Sequence, residues 1–163
     1  MNVQRGGGNP TSIVGWREWV GLPDLGVSWI KAKVDTGARS SALHAIDLEL
    51  VDGDDGPIAR FALQPWQRSD ADAVKAELPV VDTRTVRSSN GATERRPVVA
   101  TTLRVGELLM PFQATLTERS QMGFRLLIGR QGLRGWATVA PDRSFVAGRP
   151  PIDVRRANRR RRP

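Results

Sequence analysis

Residues 34–44 read VDTGARSSALH, and the rest of the chain is interpreted around this stretch. The acid Asp35 follows an apolar residue and precedes a hydroxyl residue, Thr36, and a glycine, Gly37. Because glycine has no side chain, backbone groups can approach the carboxylate closely at such a turn. One interpretation is an Asx turn that ends a strand. The other, pursued below, is that Asp35 is one half of a catalytic pair of carboxylates.

The length of 163 residues fits one ordinary domain with its own core. We predict a domain over residues 12–149, between a disordered, glycine-rich lead (1–11) and a basic, disordered tail (150–163). No apolar run is long enough to span a membrane, and the start lacks the apolar centre of a secretion signal. Cysteine is absent, so there are no disulfides. These features predict a cytoplasmic protein.

The net charge of +8 is concentrated at the C-terminal end, where six arginines lie between residues 155 and 162. Such a run can bind nucleic acid, ribosomes or an acidic partner. The alternative is a solvated, disordered end with no partner. We therefore keep the tail out of the predicted chemistry.

Short segments with strand-like spacing recur along the chain, separated by turn residues. They cover residues 13–20, 27–34, 43–51, 58–63, 80–87, 95–105, 108–116, 124–130, 136–140 and 144–147. Asn90 and Gly91 lie between two of these segments and form a strong hairpin signal, because both residues accept a positive φ. A helix is expected only as one short piece near residues 130–134. The pattern predicts an all-β barrel or sandwich.

The residue inventory excludes several chemistries. His44 is the single histidine, so the usual histidine- and cysteine-rich zinc sites cannot form. No P-loop for ATP and no nucleophile elbow for a serine hydrolase occurs. We interpret His44 as a structural residue satisfied by hydrogen bonds. Paired carboxylates remain, because two such groups about 3 Å apart share one proton and need no metal, Cys or His.

A second segment, residues 126–130 (LLIGR), follows Asp35 after roughly ninety residues. Together with residues 35–45, 122–130 and 141–145, it makes the chain resemble the retropepsin-like aspartic proteases over residues 13–148. The similarity is to a bacterial and archaeal branch often labelled "ATP-dependent zinc proteases", whose members commonly accompany ATP-grasp glutamate ligases. The inventory above conflicts with the zinc part of that label, because the chain offers no histidine- and cysteine-rich zinc site. The resemblance implies a retropepsin-like acid-protease barrel with one short helix after the Gly-Arg motif.

The resemblance also implies roles for the residues that match the family motif. Asp35 would be the catalytic acid/base, Thr36 would brace paired loops across a subunit boundary, and Gly37 would supply a backbone amide. The hairpin at residues 88–92 would be a flap over substrate, although it is more polar than retroviral flaps. Because the sequence holds one Asp-Thr-Gly, an aspartic peptidase of this type requires a homodimer with one Asp35 per subunit. Neither a cofactor nor a metal is expected.

One departure from retroviral relatives suggests the substrate. They carry an acid four positions after the catalytic Asp, where it pairs with the Arg of the Gly-Arg motif. Here that position is Arg39, which leaves Arg130 without this partner. We therefore predict an acidic peptide substrate. The association of the family that this chain resembles with glutamate ligases implies a more specific substrate, poly-glutamate added after translation to a ribosomal protein. The predicted substrate-binding residues are Arg39, Arg87, Asn90, Gly91, Arg95 and Arg130, with Arg96 nearby.

Other interpretations remain open at the sequence level. The arginines near the flap could instead form ordinary solvated ion pairs with neighbours such as Glu94 and Asp82. The main alternative function is a non-catalytic β-barrel module that binds RNA or the ribosome through its basic tail. A transpeptidase or amidase using the same pair of carboxylates is a third possibility.

Overall fold

A computed structural model describes residues 12–87, 90–118 and 123–159, so the predicted lead over residues 1–11 lies outside the described residues. The strands are β1 (Ser12–Leu22), β2 (Val27–Val34), β3 (Ala42–His44), β4 (Ile46–Gly53), β5 (Gly56–Leu63), β6 (Val74–Arg87), β7 (Thr93–Val105), β8 (Leu108–Thr117), β9 (Leu126–Ile128) and β10 (Ala137–Ser144). The helices are α1 (Arg130–Leu133) and α2 (Ile152–Ala157), with a 3₁₀ turn at Pro23–Leu25. The prediction of an all-β chain with a short helix after the Gly-Arg motif is confirmed.

The strands close into a barrel. A ring runs in the order β1, β2, β9, β3, β8 and β7, and pairing of Gly21 with Arg104 joins β7 back to β1. β10 extends the sheet as a parallel neighbour of β1, while β6, β5 and β4 continue it beyond β7. Closure of this kind removes free strand edges from the centre of the sheet.

The alternation of side chains on β2 decides where Asp35 emerges. Ile30, Ala32 and Val34 are buried in the core. Lys31 and Lys33 point to the other face and are half-buried. Successive residues of a strand alternate between faces, so Asp35 continues the face of the two lysines and is half-buried rather than enclosed by the core.

The parallel pairing of β2 with β9 brings together two segments that are far apart in the sequence. Ala32, Lys33 and Val34 pair with Leu126, Leu127 and Ile128 in register. Parallel strands in register end at the same edge, so the residues that follow Val34 and Ile128 become neighbours. This pairing places Asp35 beside Gly129.

Two strand predictions are corrected. Residues 43–51 were expected to form one strand, but β3 and β4 are separated at Ala45, and Asp47 has a φ of 53°. Residues 136–140 and 144–147 were expected to form two strands, but β10 is one strand that ends before Phe145, whose φ is 56°. Positive φ is uncommon outside glycine, and alternation of apolar residues does not reveal it.

The predicted tail is corrected as well. α2 lies inside the region expected to be disordered, and it is a second helix where one was expected. It is anchored by Asn158, which is 5% exposed and whose Nδ2 donates to Asp72 Oδ2 at 2.9 Å and to the carbonyl of Val154 at 3.0 Å. Residues 160–163 lie outside the described part of the chain. Neither described helix has the length and apolarity needed to cross a membrane.

A buried carboxylate, Glu18, ties β1 to the end of β10. Glu18 is 1% exposed, and its Oε2 accepts from the amides of Gly15 at 3.0 Å and Val146 at 2.9 Å. Its Oε1 accepts from the amide of Ala147 at 2.8 Å. A buried carboxylate is tolerated when backbone donors satisfy it. Glu18 therefore serves as an internal anchor for the segment that follows β10.

Replacing Glu18 with Gln should lower the free energy of unfolding by about 2–3 kcal/mol, because an amide group then faces backbone donors and leaves at least one unsatisfied. Urea denaturation measures this difference. Glu107, which is exposed, provides the matched control, and Glu107→Gln should stay within about 0.5 kcal/mol of the parent. Equal stability of the two variants would contradict the anchoring role.

Candidate active site

Asp35 is held at the end of β2 by three backbone contacts. Its amide donates to the carbonyl of Ile128 at 2.9 Å, and its carbonyl accepts from the amide of Ala38 at 3.3 Å. Its Oδ1 accepts from the amide of Gly37 at 2.9 Å. The last contact is an Asx turn, so the interpretation raised as an alternative is present in the structure. The turn engages one carboxylate oxygen, and Oδ2 accepts no hydrogen bond from any described residue.

Gly129 allows the second segment to pack against the loop that carries Asp35. A Cβ added at Gly129 would lie 2.5 Å from the carbonyl oxygen of Ser40 and 2.9 Å from that of Ala38. The amide of Gly129 donates to Ser41 Oγ at 3.1 Å. The amide of Arg130, the first residue of α1, donates to the carbonyl of Ala38 at 2.8 Å. The Gly-Arg motif is thus a requirement of close backbone packing, because any side chain at residue 129 would separate the two segments.

Arg130 holds the same loop from the side. Its Nη1 donates to the carbonyl of Thr36 at 3.0 Å. With Arg39 at the position of the acid, Arg130 was expected to lack an acidic partner, and no ion pair of Arg130 occurs among the described residues. Its guanidinium bonds the backbone of the Asp-Thr-Gly loop instead. Arg130 is therefore placed to position that loop, while its proposed contact with substrate stays a prediction.

Arg84, on β6, was not singled out as functional from the sequence. Its Nη1 donates to Ser40 Oγ and to Gln131 Oε1, both at 3.1 Å, and its Nη2 donates to Gln113 Oε1 at 3.3 Å. Arg84 thus joins the middle of the β6–β7 hairpin to the Asp35 loop and to α1. No local sequence pattern indicates this role, since the contacting residues are 29 to 47 positions apart in the sequence.

The β6–β7 hairpin carries the other predicted site residues. The strands pair as far as Arg87 and Thr93, and Gly91 has a φ of 85°. Residues 88 and 89 of the predicted flap lie outside the described part of the chain. Arg87, Asn90, Gly91 and Arg95 are exposed on this hairpin. The contacts above bring together Asp35, Thr36, Gly37 and Arg130, but they do not join the flap residues to that group.

The charged side chains of this region divide into paired and unpaired groups. Arg96 pairs with Glu94 at 3.0 Å, and Arg84 lies 3.7 Å from Asp82. The Arg96–Glu94 pair is one of the ordinary ion pairs considered as an alternative, whereas Asp82 pairs with Arg84, which was not among the arginines considered. Within the described residues, Arg39, Arg87 and Arg95 make no ion pair. Arginines that form no ion pair with a described acid therefore lie on the Asp35 loop and on the hairpin.

The remaining titratable residues offer no grouped metal ligands. Among residues 12–87, 90–118 and 123–159, no cluster of three or more His, Cys, Asp or Glu side chains could hold a metal ion. His44 is 2% exposed on β3, and its amide donates to the carbonyl of Arg125 at 2.8 Å. Its burial agrees with a structural role.

The Asp-Thr-Gly loop follows one strand of the barrel, and the apolar-Gly-Arg segment includes the parallel strand beside it. This arrangement defines a retropepsin-like protein. The chain belongs to the RimB-like family, described as the retropepsin-like aspartic endopeptidase RimB, whose family model matches residues 13–150. The fold also matches a crystal structure of a protein of unknown function from Legionella pneumophila. That match has a TM-score of 0.69 and 25% identity, and covers 85% of this chain and 99% of the other.

Curated relatives carry a different name. The chain is 40% identical over 136 residues to a "Probable alpha-L-glutamate ligase" of Shewanella pealeana, covering 83% of this chain and 30% of that protein. Proteins of the same name match from Parasynechococcus marenigrum, at 40% identity and 29% of its length, and from Desulfotalea psychrophila, at 33% and 29%. The chain thus spans about 30% of the length of the curated relatives it matches.

Replacing Gly129 with Ala should destabilise the fold by about 1–3 kcal/mol, because the new Cβ forces the carbonyls of Ser40 and Ala38 away. Chemical denaturation followed by tryptophan fluorescence measures the loss. Gly123→Ala is the matched control, since the nearest atom to its added Cβ is 3.9 Å away, on Gln67. If both variants unfold at the same denaturant concentration, the close packing of residue 129 does not limit stability.

Proposed function

We propose that the chain is an aspartic peptidase that acts as a homodimer, with the Asp35 of each subunit contributing one carboxylate to a shared site. The observation that carries the proposal is the fixed position of Asp35. Its backbone is bonded to Ile128 and its Oδ1 to Gly37, while Oδ2 has no partner among the described residues. A carboxylate with one oxygen oriented and the other unengaged is suited to proton transfer with water or substrate.

The dimer follows from the number of motifs. The sequence contains one Asp-Thr-Gly, and retropepsin-like catalysis needs two carboxylates in contact. A two-fold axis beside Asp35 supplies the second from an identical loop, because a symmetric interface brings the same residue of both subunits together. Thr36 and Gly37 are exposed, and are therefore accessible to a partner subunit.

The chemistry uses one shared proton. The ionised carboxylate removes a proton from a water, whose oxygen forms a bond to the peptide carbonyl carbon, while the protonated carboxyl donates its proton to the carbonyl oxygen. The tetrahedral intermediate then collapses and the C–N bond breaks. The proton taken from water passes to the leaving nitrogen, and the proton of the intermediate's hydroxyl returns to the other carboxylate. The products are a carboxylic acid and an amine, and the pair regains its single shared proton.

The substrate we propose is a poly-glutamate tail on a ribosomal protein. Relatives that match most of this chain are named as probable glutamate ligases, so a role in removing what such enzymes add is chemically coherent. Arg39, Arg87 and Arg95 provide cations that are not neutralised by described acids. Guanidinium groups bind carboxylates through paired hydrogen bonds, which makes acidic side chains the favoured ligands.

Replacing Asp35 with Asn should lower the rate of hexaglutamate cleavage by on the order of 10²–10⁴-fold, because the amide cannot take a proton from water. Chromatography of the products gives the rate, and sedimentation analysis should show that the dimer persists. Asp54→Asn, at an exposed turn, is the control and should retain full activity. Undiminished cleavage by Asp35→Asn would reject the aspartic mechanism.

Shortening the tail distinguishes the peptidase from the alternative, a module that binds RNA or the ribosome. Removing residues 160–163 deletes three arginines and spares Asn158, which is buried and needed by α2. The peptidase proposal expects cleavage to continue in this truncated protein. Loss of ribosome binding together with an inactive parent enzyme would favour the binding module instead.

Replacing Arg39 with Glu should reduce the preference for acidic over neutral peptides by roughly tenfold, since a cation that attracts carboxylates becomes an anion that repels them. The measurement is the ratio of kcat/KM for a hexaglutamate and a hexaglutamine peptide. Arg143→Glu makes the same charge change at an exposed position of β10 and should leave the ratio unchanged. An unaltered ratio in Arg39→Glu would remove Arg39 from substrate selection.

A further inference from the structure

A cavity separate from the Asp35 loop lies on the face of the sheet that carries Lys31 and Lys33 of β2. Trp19 pairs with Lys31 across β1 and β2, and Arg125 directly precedes β9, whose Leu126 pairs with Ala32. These three side chains form one wall of a cavity of about 280 Å³. The segment at residues 65–68 and Asn158, which follows α2, complete the lining.

The cavity is rich in positive charge. Lys31, Arg68 and Arg125 line it, and none of the three forms an ion pair within the described residues. The carboxylate of Asp72 is nearby, but its Oδ2 accepts from Asn158 Nδ2 at 2.9 Å. Asp70 lines the adjoining depression together with Arg68. A cavity with three cations in its wall and no carboxylate in its lining is suited to an anion.

Several polar atoms on the lining residues lack partners. Arg125 is 9% exposed, and its Nε has no hydrogen-bond acceptor among the described residues. Trp66 Nε1 and Asn158 Oδ1 are also buried without a partner in that part of the chain. Unsatisfied buried groups of this kind cost free energy and are uncommon, especially when one belongs to a charged side chain. Two of these atoms, Arg125 Nε and Trp66 Nε1, are donors that an anion in the cavity would satisfy, whereas Asn158 Oδ1 is an acceptor.

The environment of Lys31 agrees with this interpretation. Burial lowers the pKa of the Lys31 amine below its usual value, and the positive charges of Arg17 and Arg68 lower it further. The ammonium lies 5.5 Å from the ring of Trp19, a cation–π contact that offsets part of this cost. An anion bound in the cavity would offset part of the repulsion that Lys31 experiences from Arg68.

We propose that this cavity is a second, non-catalytic site that binds a carboxylate of an acidic peptide. Lys31 is four residues before Asp35 on β2, so the two sites are separated by about 13 Å along the strand. The rings of Trp19 and Trp66, with centroids 4.6 Å apart, offer apolar surface for the methylene groups of a glutamyl side chain. The choice of a peptide rests on the proposed function, whereas the charge and unpaired donors of the cavity do not.

Binding can be measured without turnover by titrating hexaglutamate into the Asp35→Asn protein and following heat release. Arg68→Gln in this background should weaken binding by roughly tenfold, because one charge-assisted contact is lost. Arg68 is exposed, so its replacement leaves the core intact. Arg60→Gln removes the same charge from an exposed pair with Glu77 and should bind like the Asp35→Asn protein. Equal affinity of the Arg68 and Arg60 variants overturns the inference.

Two further titrations decide between ligand classes and test the half-buried cation, Lys31. Inorganic phosphate shares the anionic chemistry, and binding of phosphate with no Arg68-dependent binding of hexaglutamate overturns the peptide assignment. Lys31→Met should weaken hexaglutamate binding to a similar degree as Arg68→Gln, with an unchanged far-UV circular dichroism spectrum. Since all variants carry Asn at residue 35, a failure here is separate from a failure of the catalytic proposal, which depends on cleavage by the parent enzyme.

Discussion

The parallel pairing of β2 with β9 is the constraint on which the rest of the structure depends. It joins residues that are almost a hundred positions apart and makes the loop after Val34 a neighbour of the loop after Ile128. The amide of Asp35 then bonds the carbonyl of Ile128, and the carbonyl of Ala38 accepts from Arg130. Gly129 permits this approach, since a Cβ there would overlap the backbone of Ser40. The loop geometry at Asp35 thus follows from the strand register and from the absence of a side chain on Gly129.

Local patterns were sufficient to predict most strands, the hairpin turn at Gly91 and the short helix at Arg130–Leu133. The alternation of apolar and polar residues, the turn residues and the Gly-Arg motif can each be recognised within a few adjacent residues. The buried role of Glu18 was not predictable in this way, because two of its donors lie 128 and 129 residues along the chain. α2 was missed for a related reason. Its arginines are typical of a solvent-exposed segment, whereas the contact that holds it in place joins Asn158 to a distant carboxylate, Asp72.

The candidate site was predicted only in part for the same physical reason. Asp35, Thr36, Gly37 and Arg130 are in contact because the motif that contains them also determines how the segments pack. Arg84 was missed, since a single arginine on a strand has no distinguishing local pattern. Its partners, Ser40, Gln131 and Gln113, converge only after the hairpin folds over the loop. Arg84 connects the part of the molecule predicted to cover a substrate with the part predicted to react with it.

The Asx turn and the catalytic role proposed for Asp35 were treated as alternatives at the sequence level, but the geometry allows both. The turn uses Oδ1, through the amide of Gly37, and thereby fixes the rotation of the carboxylate. Under the proposed mechanism that restriction is useful, because proton transfer requires a defined donor–acceptor geometry. Oδ2 has no partner within the described residues and is the atom available to a second carboxylate and to water. Gly129 and Arg130 pack against the other side of the turn, so the loop is held from two sides. A structural turn and the proposed catalytic half-site are therefore compatible with one arrangement of the same atoms.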